Sequence, residues 1–346
     1  MKLLYVWSRS GSWRHSGSGA RLLALFLCWT AVALAQPAPP TPHVHFIATG
    51  GTISNREGGR LTAEDLVAKM PAVDRYARVT YEQFSNLASS ELTVDQWLQL
   101  SRRINDTFAG DKQLAGIVVT SGTDTLEETA FFLHLTVRDA RPVVLVGAMR
   151  NASTIGYEGP ANLLEGVRVA ADPAARDKGV LVVLNDEINS AREVTKTDAH
   201  RLQTFQSRPV GVLGIVDSDR VVFYRQIVQR HTAKSEFDIS QITELPRVDV
   251  IMVYQSAPGD LIKAAVDAGA KGIVMATAGA GRSAARRTKA SITPRRRASS
   301  SSPAHAPVQG AFRHPRQRAG VGRRSRLLKS RLAAEPSRLR PKIICR

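Results

Sequence analysis

The stretch Gly116-Ile-Val-Val-Thr-Ser-Gly-Thr-Asp-Thr-Leu-Glu-Glu128 decides the architecture. Its first part is apolar and β-branched with no polar alternation, the pattern of a strand covered on both faces. Turn chemistry comes next in Ser121-Gly122-Thr123-Asp124, and then a helix with Phe131, Phe132 and Leu135 on its apolar side. Thr125 and Glu128 have the spacing of a capping box at its start. The same order recurs outward. His43-Val-His-Phe-Ile-Ala-Thr49 is an apolar run ending in Gly50-Gly51-Thr52. A helix is expected near Thr62, with Thr62 as N-cap and Leu61 and Leu66 as a hydrophobic staple. Pro142-Val-Val-Leu-Val146 and Gly179-Val-Leu-Val-Val-Leu184 read as further buried strands. Val248-Asp-Val-Ile-Met-Val253, a helix over 259–268 and Gly272-Ile-Val-Met-Ala276 read as a second βα series. Strands of this kind alternating with helices predict an α/β fold, with a largely parallel sheet and helices outside it. There is no internal repeat.

The chain has 346 residues and a formal net charge of +18. Residues 282–346 hold 19 Lys plus Arg against one acid, Glu335, leaving 29 basic and 29 acidic residues in 1–281. The charge excess is therefore a property of a tail and gives the rest of the chain no bias toward nucleic acid. That tail is dominated by Arg, Ser, Ala and Pro with Phe312 as its one aromatic, so it is expected to be disordered. At the other end, Lys2, Arg9, Arg14 and Arg21 precede the apolar run Leu22–Leu34 and the small-x-small site Ala33-Leu-Ala35. Residues 1–35 thus read as a secretory signal and 36–42 as a Pro-rich linker, with a periplasmic or secreted product and no membrane association after cleavage. Both cysteines, Cys28 and Cys345, fall outside 36–281, which excludes disulfides and thiolate metal sites there.

Two strand ends could carry chemistry. Thr49-Gly-Gly-Thr52 and Thr123-Asp-Thr125 both come directly after buried strands, where ligands bind in open α/β sheets. Two glycines allow the backbone to approach a ligand closely, and a helix N-terminus stabilises negative charge. Taken singly, each also reads as an ordinary turn or helix cap. By residue type alone Lys196 is a solvated lysine and Ser89 and Ser90 are turn residues. His200 and His231 read as structural or surface groups, and Glu57, Glu64 and Asp65 as helix-start charges.

The combination is more specific. Ile47-Ala-Thr-Gly-Gly-Thr-Ile53 and Val118-Val-Thr-Ser-Gly-Thr-Asp-Thr-Leu-Glu-Glu-Thr-Ala130 resemble the two signature segments of the bacterial L-asparaginases. Val146-Gly-Ala-Met-Arg150, Val194-Thr-Lys-Thr197 and Phe237-Asp-Ile239 agree, and the resemblance spans roughly 43–281. The signal sequence points to the periplasmic type of that family. The resemblance implies a large N-terminal α/β domain over 43–235 and a small flavodoxin-like domain, present here only as 247–281. It further implies Thr52 as nucleophile, Thr123 and Lys196 as its activating pair, and Asp124 as partner of the substrate's α-ammonium. Ser89 would hold the α-carboxylate, and the Ala148 carbonyl would face the leaving amide nitrogen. The substrate would be L-asparagine, with L-glutamine as a side substrate, no cofactor or metal, and a homotetrameric assembly.

Three departures stand against that pattern. Ser54-Asn-Arg-Glu-Gly-Gly-Arg-Leu61 is short and lacks the tyrosine that the family carries on a mobile lid, leaving Arg56 or Arg60 to rebuild it. Ser90 and Ala257 stand where Gln and Asn are usual, which bears on asparagine against glutamine. Residues 282–346 resemble nothing in the family and read as GC-rich DNA translated after a frameshift near codon 282. Such an ending is expected to impair activity and assembly. The competing readings are a nucleic-acid binder acting through the tail, a non-catalytic asparagine-binding relic, and an amidase acting on misacylated tRNA. The last needs a cytosolic substrate, which the signal argues against.

Overall fold

Apolar runs become strands because each of their side chains has a layer to enter. The structure is a computed structural model that describes residues 40–277. The expected signal (1–35) and tail (282–346) lie outside the described residues. One compact unit begins at Pro42 and contains every strand and helix of the described residues. The strands are β1 (His43–Gly50), β2 (Asn55–Arg56), β3 (Gly59–Arg60), β4 (Arg78–Leu87), β5 (Leu114–Thr120), β6 (Val143–Val146) and β7 (Val180–Leu184). They continue with β8 (Glu187–Ser190), β9 (Thr195–Lys196), β10 (Phe205–Gln206), β11 (Gly214–Val216), β12 (Val221–Phe223), β13 (Val248–Met252) and β14 (Gly272–Ala276). The α-helices are α1 (Ala63–Ala68), α2 (Val94–Gly110), α3 (Leu126–Thr136), α4 (Gly159–Ala171) and α5 (Asp260–Asp267).

Eight strands form one sheet in the order β12-β11-β8-β7-β6-β5-β1-β4. Pairing is parallel from β4 through β1, β5 and β6 to β7 and antiparallel from β7 through β8 and β11 to β12. This is the expected mixed, largely parallel α/β sheet. Ile117, Val119, Val143, Leu145, Val180 and Val182 face one core, with Leu98, Ile104 and Phe108 of α2 and Leu126 and Leu133 of α3. Val118, Val144, Val146, Leu181 and Val183 face the other, with Leu66 of α1 and Leu163 and Val167 of α4. Odd and even positions of one strand thus enter different cores, which is why these strands show no polar alternation. Full burial of each such side chain contributes about 1.5–3 kcal/mol.

Local expectations were met unevenly. Thr62 caps α1, paired reciprocally with Asp65, and Leu61 and Leu66 are both buried in the same core. Thr125 stands at the N-cap of α3 but makes no side-chain cap there, so the expected Thr125–Glu128 box is corrected. Its hydroxyl instead turns to a tertiary partner and donates to the Ser89 carbonyl at 3.0 Å. Glu57 lies in the β2–β3 hairpin and not at a helix start, which corrects that reading too. The second βα series is a β13-α5-β14 unit with parallel strands in register from Val248↔Gly272 to Met252↔Ala276. Its apolar side chains are poorly covered: Met252 and Val266 are more than half exposed.

One polar contact ties the carboxyl ends of the central strands together. Thr49 donates its amide to Thr120 Oγ1 at 3.1 Å, and its hydroxyl to the Thr120 carbonyl at 2.6 Å. Both residues are buried. Thr120→Val keeps the shape but orphans the Thr49 N–H, at a cost of about 1–3 kcal/mol. Urea denaturation should therefore show a lower midpoint with an unchanged slope.

Candidate active site

Strand order places the site. The chain leaves β1 for β4 on one side and returns as β5 on the other. A crevice opens at such a switch point, beyond the carboxyl ends of the strands, and the residues emerging there are 50–52 and 121–125. Gly51 has φ +90° and ψ −174°, a conformation that L side chains rarely adopt. A Cβ on Gly51 would lie 2.3 Å from both N and Cα of Gly122. The two loops therefore touch backbone to backbone. Gly51 N–H is held by the Leu87 carbonyl at 2.8 Å, and Thr52 opens a 3-10 turn closed by Ser54 N–H to Gly51 O at 3.0 Å.

Across this contact lies a polar group built from three elements. Lys196 Nζ, on β9, donates to Thr123 Oγ1 at 2.9 Å and to Asp124 Oδ1 at 2.8 Å. The Lys196 side chain is 11% exposed and that of Asp124 75%, so the pair runs from the interior to the crevice mouth. Lys196 is thus not the solvated lysine its residue type suggests. Its position is set from below by Glu127, which is buried and accepts from Lys196 N–H at 2.6 Å and Thr195 Oγ1 at 3.2 Å. Residue-by-residue reading passed over Glu127, because an acid in the first turn of a helix reads as a dipole charge. Its one sequence signal is that it lies inside the Thr123–Ala130 segment, and Glu128 beside it shares that signal.

The other sequence-derived residues fall around this group. Ser89 is buried, accepts Thr125 N–H on its Oγ at 3.3 Å and packs against Gly122. Ser90, next to it, is exposed. Ala148 is fully buried. Its neighbour Gly147 packs on this loop, since a Cβ there would fall 2.8 Å from Ser121 O and 3.2 Å from Thr123 Cγ2. Asn162 holds the Gly147 carbonyl at 2.9 Å. Thr52, Ser89, Thr123, Asp124, Ala148 and Lys196 thus belong to one region. Ala257 lies apart in sequence on the β13–α5 connection, its N–H bonded to Tyr254 O. His200 is exposed, and His231 is buried against His134, with ring centroids 5.1 Å apart.

Such a constellation suits acyl transfer. It offers hydroxyls at a backbone turn, an amine hydrogen-bonded to one of them, and a carboxylate at the mouth to receive a cation. The Gly51–Gly122 contact has no room for a side chain. Gly51→Ala should cost about 1–3 kcal/mol for the backbone conformation, with about 1–3 kcal/mol more for overpacking. Thermal unfolding of the variant should show the corresponding drop in midpoint.

Residues 43–229 match the family domain described as Asparaginase, N-terminal. The chain is 43% identical over 259 residues to L-asparaginase 2 of Bacillus subtilis (strain 168), covering 72% of this chain and 68% of that protein. It is 40% identical over 269 residues to L-asparaginase 2 of Escherichia coli (strain K12), covering 75% of each. Among solved structures it is similar to the probable cytoplasmic L-asparaginase of Campylobacter jejuni. The TM-score there is 0.67 and the identity 38%, over 70% of this chain and 76% of that one. This chain belongs to the asparaginase family of amidohydrolases.

Proposed function

We propose that the chain hydrolyses the side-chain amide of L-asparagine to L-aspartate and ammonia, with Thr52 as nucleophile. The observation that carries this reading is Lys196 Nζ, bonded to Thr123 Oγ1 and Asp124 Oδ1 beside the Thr52 turn. A threonine hydroxyl attacks an amide only with help from a proton acceptor. In the proposed course the Thr123–Lys196 pair supplies that acceptor, and Asp124 takes the α-ammonium of the substrate. Ser89 takes the α-carboxylate. Thr52 Oγ1 bonds to the amide carbon, the C–N bond breaks, and the nitrogen leaves as ammonia with the proton that Thr52 gave up. The Ala148 carbonyl faces that nitrogen, and backbone N–H groups near Thr52 and Thr123 receive the oxyanion. Water then cleaves the ester and releases aspartate. Glutamine, one methylene longer, is a side substrate.

We further infer that residues 1–35 act as an export signal, cut after Ala35, which delivers the product to the periplasm or medium. N-terminal sequencing of the exported protein should begin at Gln36. Residues 282–346 arise from a shifted frame, and a homotetramer is expected only once that frame is restored.

Ammonia release from asparagine and glutamine tests the reading, with the chain as written compared with a version shifted by one base after Gly281. Thr52→Ala and Thr123→Val should each lower turnover by at least about 10³-fold, and Lys196→Met by about 10²-fold or more. Acid quenching should trap an aspartyl adduct on the peptide that contains Thr52. Turnover in the restored form alone assigns the loss to the tail. Turnover in neither form sinks the hydrolase reading and leaves an asparagine-binding relic.

A further inference from the structure

The β6–α4 loop, residues 147–158, runs back across the turn and hairpin that come after Thr52. Tyr157 donates its hydroxyl to the Ile53 carbonyl at 2.6 Å, over a sequence separation of 104 residues. Ala152 N–H donates to the Asn55 carbonyl at 2.8 Å, and Glu57 N–H donates to Ser153 Oγ at 2.7 Å. Three alternate residues after Thr52 are therefore each held by one short stretch of a distant loop. The loop is braced in turn: Met149 N–H bonds the Glu158 carboxylate, Asn151 Oδ1 accepts Ser153 N–H at 3.0 Å, and Arg150 Nη1 bonds Gly156 O at 3.0 Å.

The Tyr157 bond has a particular target. The carbonyl of Ile53 and the N–H of Ser54 belong to one peptide unit. Its N–H is bonded to Gly51 O at 3.0 Å and its carbonyl to Tyr157, so the plane is pinned at both ends. Rotating it would unwind the 3-10 turn that sets the backbone of Thr52. A carbonyl cannot donate, so the phenol must carry its proton. Burial, reinforced by the neighbouring Glu158, pushes the Tyr157 phenol up to about 12, so it stays a donor at any working pH. Room for the ring comes from Gly159: a Cβ there would lie 2.3 Å from Tyr157 Cε2, Cζ and the hydroxyl oxygen. The segment 54–61 itself carries no tyrosine.

We propose that Tyr157 is a positioning residue for Thr52, and that the 147–158 loop is a strap that fixes the nucleophile's turn from outside the hairpin. The proposal rests on Thr52 as nucleophile for its catalytic consequence, though not for the strap itself. Tyr157 touches the backbone one residue beyond Thr52 and acts through it.

Two variants release the strap by different routes. Tyr157→Phe removes the hydroxyl and keeps the ring. Gly159→Ala keeps the phenol and displaces its tip. Hydrogen–deuterium exchange of the full-length chain reads the strap directly. Peptides covering 53–60 should exchange about five- to ten-fold faster in either variant, while peptides covering 116–120 stay unchanged. In whichever form releases ammonia, chain as written or frame-restored, kcat should fall about ten-fold or more and KM should move by less than about two-fold. The double variant should be no worse than the worse single one, because both remove the same bond. Unchanged exchange at 53–60 overturns the strap. A raised KM with unchanged kcat also overturns the proposal, because Tyr157 would then serve substrate binding. If no form releases ammonia while Thr52→Ala changes nothing, the hydrolase reading fails on its own and the exchange data still decide the strap.

Discussion

The arrangement depends on a contact between two peptide backbones. A side chain on Gly51 would fall on the backbone of Gly122, and one on Gly122 would fall on Ser89. One loop ends β1 and the other ends β5, so the contact is possible only because these strands are neighbours in parallel register, Phe46↔Val118 and Ile47↔Val119. That neighbourhood comes from the strand order, with β4 drawn to the far side of β1. The Thr49–Thr120 bonds then limit relative sliding of the two ends. Thr52 and Thr123 are thereby brought to one crevice by main-chain geometry. Side-chain rotamers need supply only the last few ångströms, which is the cheaper part of preorganisation.

The polar group around Lys196 illustrates a different constraint. An ordered lysine loses up to about 2 kcal/mol of side-chain entropy, and a mostly buried amine needs partners for its protons. Thr123 and Asp124 are such partners, on consecutive residues at the start of α3. Glu127 fixes the main chain of the same lysine from the first turn of that helix. One helix N-terminus thus organises the hydroxyl, the carboxylate at the mouth and the strand that delivers the amine. In the proposed reaction this leaves little to reorganise when charge develops.

The central strands were legible because double-sided burial leaves an unmistakable trace, a run such as Val143–Val146 with no polar residue. The α1 start was legible because its signals are local: Thr62, Asp65, Leu61 and Leu66 lie within six residues. Where a distant group competes, local reading failed. Thr125 has the spacing of a capping residue, yet its hydroxyl serves Ser89, 36 positions away. Lys196 and Ser89 carry no sign in their own neighbourhoods that they meet Thr123 and Gly122. Their grouping came only from resemblance, and the distances came only from the fold. Glu127 and Tyr157 were passed over for the same reason, since a first-turn acid and a loop tyrosine are ordinary residues until their partners are known.

Bonds from the distant loop to the short β2–β3 hairpin change what the segment after Thr52 can do. A lid that closes over substrate must be ordered at each turnover, and that ordering entropy is drawn from binding energy. Here the segment folds on itself, Asn55↔Arg60 and Arg56↔Gly59, with Leu61 N–H on Ser54 O at 2.7 Å. The 147–158 loop bonds it at Ile53, Asn55 and Glu57. Such a segment has few open states to lose. If the nucleophile acts as proposed, the enzyme has exchanged a mobile cover for a fixed turn. The Asp124 side chain, at the edge of the site, is 75% exposed. Water exclusion would then be weaker and orientation stronger, so selectivity should rest on the pairing of Asp124 and Ser89 with the α-substituents. The length of the side chain that carries the amide should matter less.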